Sequence, residues 1–359
     1  MTEELGYIAE PPRQTPVLAD VDVAVLGGGS SGCAAAVAAA RRGARTILVE
    51  EFGFLGGTQT GALVTPMMRN HLQGQALNRG IYMEVLERLQ ATGDADVFSD
   101  GNAGWFNPEM LKVVLERLAV EAGVDIWYHS HCAGARVEGG ALRELIVETK
   151  SGRGAIRAAR FIDCSGDADL AYLAGAPVQV GRRDNRHNQP MSLRFLMGNV
   201  DLGQARAHFA RLGDLEVYDS PRNPAIPLFT TASTWERAWG LRPLLEEAVA
   251  AGVLERVDGA YFQLFTVPGR PGEIAFNCPR IDEVTDALDF RSRSYVQIEG
   301  KKRILRLLDF CRRNLEGFAR AYIVMIAPFV GVRESRRIVG EYTLTREDFY
   351  ECRKFPDAV

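Results

Sequence analysis

Residues 21–57, VDVAVLGGGSSGCAAAVAAARRGARTILVEEFGFLGG, constrain the fold of this chain more than any other stretch. Val21 to Leu26 reads as a buried strand that runs into Gly27, Gly29 and Gly32 and then into an alanine-rich helix. That order is the strand, turn and helix of a dinucleotide-binding unit. Gly27 allows the tight turn, Gly29 lets the backbone approach a pyrophosphate, and Gly32 lets the helix pack closely on the strand. Ser31 falls in the first helical turn, where unpaired N–H groups and the macrodipole favour negative charge. A second strand, Thr46 to Val49, ends on Glu50, about twenty residues past the glycines, where a carboxylate can take both ribose hydroxyls. No positive residue sits immediately after Glu50 to welcome a 2′-phosphate, which disfavours NADP.

This pattern does not separate NAD from FAD, but two further stretches do. Phe54-Leu55-Gly56-Gly57-Thr58 is a paired-glycine loop suited to running along an extended cofactor where side chains would clash. Arg160-Phe161-Ile162-Asp163-Cys164-Ser165-Gly166-Asp167 is an apolar strand that ends in a Ser-Gly turn. At these residues the chain resembles FAD-dependent oxidoreductases with the glutathione-reductase type of flavin domain. Within them it looks most like the bacterial group related to the flavin subunit of heterodisulfide reductase. The resemblance includes WFNPEMLK at 105–112, FIDCSGDADLAYLAGAP at 161–177 and GVRESRRIVGEYTLT at 331–345.

The resemblance implies that Gly27, Gly29 and Gly32 hold the FAD pyrophosphate, that Glu50 holds the adenosine ribose, and that Gly56, Gly57 and Thr58 lie beside the flavin end. It gives Cys132 and Ala133 backbone contacts with adenine, and Ser165, Gly166 and Asp167 adenine-side packing or support of the cofactor. The implied fold class is α/β: a Rossmann-like FAD-binding parallel sheet with an inserted antiparallel meander, plus a second α+β domain. The expected division is an irregular arm over 1–20, an FAD-binding domain over 21–189, a substrate or cap domain over 190–340, and over 341–359 the start of a return to the FAD domain.

Local signals place the elements. Residues 77–90 read as a helix. Asn107 suits an N-cap and Pro108 the first position of a helix with Leu111, Val114, Leu115 and Leu118 on one stripe, ended by Gly123. Val124 to Tyr128 reads as the third sheet strand. Between Ala135 and Ile162 the period changes to that of antiparallel strands, a meander ahead of a fourth parallel strand at Phe161–Cys164. Gly61 to Arg69 is expected to run under the flavin. Further on, 191–196, 261–267 and 273–277 read as strands, 235–250 as a helix, and Lys302 to Leu315 as an amphipathic helix.

Composition limits the partners. The 359 residues carry a net charge of −4 with acids and arginines interspersed, so no strong field invites nucleic acid or an anionic membrane. No apolar run reaches the length of a membrane span, and the first twenty residues show no signal-peptide pattern, so a cytoplasmic location is the default expectation. The six cysteines, at 33, 132, 164, 278, 311 and 352, are scattered and suggest neither a disulfide framework nor an iron–sulfur cluster. Where flavin disulfide reductases carry a redox cysteine pair, this chain has Thr58-Gln59-Thr60-Gly61-Ala62.

The expected function is FAD-dependent oxidation, with hydride passing from a small anionic substrate to flavin N5. In such an enzyme the protein supplies orientation, a dry cavity and positive charge. Arginine suits that task because its fork grips carboxylates and phosphates bidentately. The candidates are Arg333 and Arg337, placed on one face if 333–337 is a strand, with Glu334 and Arg336 on the other. Next are Arg194, in an apolar strand, and Asn277 at a strand end. His71, just past the segment expected under the flavin, could relay a proton. His129 and His131 alternate along one strand without further ligands, so no metal is expected.

Two rival readings fit parts of the pattern: an NAD-binding dehydrogenase and an inactive fragment. The resembled proteins continue past a stretch like Phe355–Val359 with another parallel strand and a long helix aimed at the flavin. From this the expectation follows that the adenosine half of the site is whole and the isoalloxazine half incomplete. An unpaired strand beside Phe161–Cys164 would then favour homo-oligomers.

Overall fold

The computed structural model describes residues 6–67, 70–72, 75–97, 103–218 and 226–356. Its first half is built on β1 (Val17–Leu26), α1 (Ser30–Arg41) and β2 (Thr46–Val49), followed by α2 (Ile81–Ala91), α3 (Pro108–Glu121) and β3 (Asp125–Trp127). Then come β4 (His131–Glu138), β5 (Ala141–Thr149), β6 (Gly152–Asp163) and the short α4 (Asp169–Leu173). The strands form one sheet in the order β3-β2-β1-β6-β5-β4. β3, β2, β1 and β6 are parallel, while β5 and β4 return antiparallel. The register lines up Trp127, Val49, Leu26 and Asp163 at the carboxyl ends of the four parallel strands. In a sheet of this kind the ligand crevice opens at that edge.

The parallel strands are apolar where both faces are covered, over Val23–Leu26 of β1 and Ile47–Val49 of β2. Val25 and Leu48 face Cys33, Ala36 and Val37 of α1 and Leu111 and Leu118 of α3. Ala24, Leu26, Ile47 and Val49 alternate to the other face, against Leu145, Val147, Ile156 and Leu170. The α3 start follows its sequence signal. Asn107 accepts the Glu109 N–H at 3.1 Å, Pro108 takes the first turn, and Gly123 leaves the helix at φ +83°.

The second half carries β7 (Phe195–Gly198), α5 (Leu202–Leu212), β8 (Glu216–Tyr218), β9 (Leu228–Thr234), α6 (Arg242–Ala250), β10 (Tyr261–Thr266), β11 (Ile274–Phe276), α7 (Phe290–Asn314) and β12 (Tyr322–Ile326). Its six-stranded sheet has the order β8-β9-β10-β11-β7-β12. Every paired neighbour in it is antiparallel. On the helix-covered face, Phe195 stacks on Phe276 at 4.4 Å, and Phe262 meets Phe310 of α7 edge-on at 6.1 Å. On the opposite face of the sheet Trp105, from the first half of the chain, stacks on Phe265 at 5.6 Å, and Leu63 is buried beside Arg194.

The mixed α/β class and the parallel sheet with a meander match the expectation, and several boundaries are corrected. The first strand begins at Val17 inside the supposed arm, because β6 runs long enough to pair with it from Ala155 onward. The last meander strand and the fourth parallel strand are one strand, β6, antiparallel to β5 over its first half and parallel to β1. The strand expected at 191–196 is broken at Leu193–Arg194: Met191–Ser192 pairs with Arg280–Ile281, and only from Phe195 does the chain join the large sheet. The helix expected at 235–250 starts at Arg242, with Pro243 in its first turn, and the one expected at 77–90 starts at Ile81 after Gly80. The helix expected from Lys302 begins at Phe290, where Asp289 caps it by accepting the Ser292 N–H. Arg333 to Arg337 is not a continuous strand. Only Arg336–Ile338 pairs, with Val178–Val180. Part of the expected run under the flavin, 68–69, lies outside the described residues.

Candidate functional site

The glycine turn has the shape its spacing demands. Gly27 sits at φ +93°, and a Cβ there would fall 2.4 Å from the Cys164 carbonyl oxygen. A Cβ on Gly32 would fall 1.7 Å from the Gly27 carbonyl oxygen. Both glycines therefore serve backbone packing between β1, α1 and the end of β6. Gly29 is different. It is the N-cap of α1, and a Cβ there would meet only the Gly57 Cα, at 3.8 Å. No side chain caps α1 and no acid stands in its first turn, so its first amides and the exposed Ser31 face outward at the carboxyl edge of the sheet.

The second glycine loop lies directly on the first. The Gly56 N–H donates to the Gly28 carbonyl at 2.8 Å, and Gly29 and Gly56 form a parallel bridge. Gly56 and Gly57 have φ of +105° and +52°, and a Cβ on Gly57 would lie 2.9 Å from the Gly29 Cα. Thr60 closes the loop by donating its hydroxyl to the Leu55 carbonyl at 2.8 Å, leaving Thr58 exposed. In sequence the two loops read as separate contacts along a cofactor. Folded, they form one continuous backbone cradle.

Glu50 braces this cradle. It is only 6% exposed, and its two oxygens accept the N–H groups of Gly28 at 2.6 Å and Phe52 at 2.8 Å. Burial pushes its carboxyl above the usual range, and the two N–H bonds oppose that shift. Each oxygen keeps a lone pair that a ribose hydroxyl could meet. Gly28 was missed as a site residue. The signal was present in the run of three glycines, since a Cβ at the middle one would lie 2.6 Å from Leu55 Cδ2 and 2.8 Å from Glu50 Oε2.

On the meander side, Cys132 pairs with Val147 and Gly134 with Ile146, so Ala133 is the extra residue of a bulge. At the end of β6, Asp163 accepts the Ser165 N–H and hydroxyl and the Ala171 N–H, which fixes the Ser-Gly turn and the start of α4. Gly166 has φ +86°, with open space where a Cβ would be. Asp167 turns toward the second half of the chain: it accepts from Arg293 of α7 at 2.5 Å and from the Ser335 hydroxyl, and its carbonyl accepts from Arg336.

The four side chains expected to do chemistry are not all brought together. Arg194 is 8% exposed, donates to the Leu63 carbonyl at 3.4 Å, and lies close enough to Arg333 to feel its charge. Arg337 is exposed and occupied elsewhere, by Glu334 and the Gly181 carbonyl, both at 2.7 Å. The expected separation of Glu334 and Arg337 onto opposite faces therefore does not hold. His71 lies in a two-residue hairpin strand opposite Ala76. Tyr261 and Gln263, beside Asn277, were missed because in sequence they are ordinary strand residues. Phe52, next to the Glu50 brace, stacks on Phe329 at 4.7 Å.

The chain matches a known family. The family of FAD-dependent oxidoreductases matches residues 22–359. The chain belongs to that family. FAD is the family's cofactor, and the uncapped α1 amides, the side-chain-free face at Gly29 and Gly57, and the Glu50 carboxylate fit its pyrophosphate and ribose. No curated protein matches the sequence. Among solved structures, the fold of this flavoprotein is similar to the myxobacterial chondrochloren halogenase CndH, an FAD-dependent halogenase, at 13% identity and TM-score 0.55, covering 90% of this chain and 66% of that one. The flavin-dependent brominase Bmp2 gives 14% identity and TM-score 0.51, covering 90% and 70%. The p-nitrophenol 4-monooxygenase PnpA of Pseudomonas putida DLL-E4 gives 12% and 0.50, covering 90% and 70%. The flavoprotein chain thus spans about two thirds of the length of these structures. No helix of the described residues is long and apolar enough to cross a membrane.

Proposed function

We propose that this chain is a flavoenzyme that oxidises a small organic substrate, with residues 21–189 as the cofactor half and 190–340 as the substrate half. The observation that carries the reading is the cradle formed by the Gly28–Gly29 turn, the Gly56–Gly57 loop and the Glu50 brace. FAD, when bound, supplies a hydride acceptor at N5. The α1 amides would hold its pyrophosphate, Glu50 its ribose, and the backbone around the Ala133 bulge its adenine. Asp167, held by Arg293 and Ser335, ties the Ser165-Gly166 turn to the second half of the chain. The placement near the heterodisulfide reductase flavin subunit, His71 as a proton relay, a cytoplasmic location and association into homo-oligomers belong to the same proposal.

The test is a titration of the purified chain with FAD, followed by flavin absorbance and tryptophan quenching, with NAD as the competitor. Saturable FAD binding that Gly57→Ala weakens by about tenfold or more supports the reading, because the added Cβ lies 2.9 Å from Gly29 Cα. Binding of NAD in preference to FAD, or FAD binding indifferent to Gly57→Ala, overturns it.

A further inference from the structure

The second sheet carries a polar row on the face turned away from its phenylalanine core. The antiparallel register pairs Phe195, the first residue of β7, with Phe276, the last of β11, so Arg194 and Asn277 flank that pair at the same end of the sheet. The Asn277 N–H donates to the Gln263 carbonyl at 2.9 Å, so Gln263 lies beside Asn277 on the next strand. Tyr261, two residues from Gln263, shares its face. Arg194, Asn277, Gln263 and Tyr261 therefore lie together where β7, β11 and β10 meet, Arg194 just before the first and Asn277 just after the second.

This row is satisfied internally except at one end. Tyr261 donates its hydroxyl to Gln263 Oε1 at 2.7 Å, and Asn277 Nδ2 donates to Gln263 Oε1 at 2.7 Å and to the Tyr261 oxygen at 3.2 Å. Arg194 has one bond, to the Leu63 carbonyl, and its buried Nε has no partner. No carboxylate among the described residues pairs with this guanidinium, and the exposed Arg333 adds like charge to its surroundings. Burial lowers Arg194 to about 10, so it remains charged at neutral pH. A buried, charged, incompletely bonded fork with no carboxylate to balance it is an unfavourable arrangement that an anion relieves.

We propose that Arg194 and Arg333 recognise the carboxylate of a small organic acid, bound against the Tyr261–Gln263–Asn277 row as the substrate of this enzyme. The fork presents parallel N–H groups that match a planar carboxylate, whose single negative charge balances the buried guanidinium. Leu63 and Trp105, both buried, cover the adjoining part of the face and suit the apolar body of such an acid. The inference rests on the reading of this face as the substrate side of a flavin site.

The experiment uses the full chain, with and without FAD, and measures benzoate and propionate binding by calorimetry and thermal shift. Benzamide, propionamide and inorganic phosphate are the controls. The carboxylates should bind at least about tenfold more tightly than the amides and than phosphate. Arg194→Met should remove that preference, Arg194→Lys should restore part of it, and Arg333→Ala should weaken it severalfold. FAD affinity should stay within about twofold in all three variants. Equal binding of acids and amides, phosphate binding as tight as benzoate, or benzoate binding unaffected by Arg194→Met overturns the proposal. So does a loss confined to FAD affinity, which would assign Arg194 to the cofactor. If Arg194→Met does not fold, the Arg194→Lys and Arg333→Ala arms decide. An Arg194-dependent carboxylate site in a chain that fails to bind FAD would sink the flavin reading and leave the carboxylate pocket standing.

Discussion

Gly28 donates its backbone N–H to the carboxylate of Glu50 across 2.6 Å, joining the first turn of the nucleotide unit to the end of its second strand. The same carboxylate holds Phe52, at the start of the loop that leads to Gly56 and Gly57. One buried side chain thus organises both halves of the cradle, and its partners define how the cradle should fail.

Gly28 and Gly29 separate folding from binding. At Gly28 a methyl would collide with Leu55 and Glu50, so Gly28→Ala should destabilise the chain by about 1–3 kcal/mol and lower Tm. At Gly29 the nearest atom is 3.8 Å away and φ is −69°, so Gly29→Ala should cost no more than about 1 kcal/mol while weakening FAD binding at least about tenfold. Thermal unfolding and FAD titration of the two variants check this together. Equal effects on both properties would contradict it.

Acidification should release FAD before it unfolds the cradle. Burial raises the Glu50 carboxyl above its unfolded value, so its contribution to stability is full below the unfolded pKa and fades as pH rises through the folded one. Ribose hydroxyls donate to the ionised form, which gives FAD affinity the opposite dependence. Affinity should fall as pH drops through a carboxyl that titrates above the ordinary range. The check is the FAD dissociation constant from about pH 7.5 to about pH 5. Glu50→Gln should flatten the profile, and an unchanged pH step in that variant would count against the assignment.

Thiol reactivity should be greatest at one position. Cys33 and Cys278 are buried, and desolvation pushes each to about 12, whereas Cys352 is exposed. Iodoacetamide labelling near pH 8, read by mass spectrometry, should modify Cys352 first and reach Cys33 and Cys278 only on unfolding. Rapid labelling of Cys33 in the native chain would show that α1 is not packed as described.

Asp167 should act as a clasp between the two halves of the chain. Asp167→Asn removes the charge that Arg293 meets and weakens the Ser335 contact, so the loss should be about 1–2 kcal/mol, discounted because Arg293 is partly exposed. Arg293→Met should cost a similar amount, and the double variant less than the sum. Full additivity in denaturant unfolding would show that the pair is not coupled.

Much of the cofactor half was legible in the amino-acid sequence, because its signals are local. A strand covered on both faces must be apolar throughout, a tight turn must be glycine, and a helix start needs Asn107 and Pro108 where they occur. These requirements act within a few residues and leave a mark on the chain itself. The meander was legible for the same reason, through its period of two. Tertiary packing alone decided the rest. Gly56 lies on Gly28, the meander flows into β6 without a break, and Asp167 meets Arg293, because register and close approach depend on atoms far apart in sequence. The substrate face is the plainest case. Arg194, Asn277 and Gln263 come from the start, the end and the middle of three separate chain segments, and nothing in their own neighbourhoods says they share a row. Only the pairing of those strands aligns them, and only the covering of that face by Leu63 and Trp105 leaves a buried arginine short of partners.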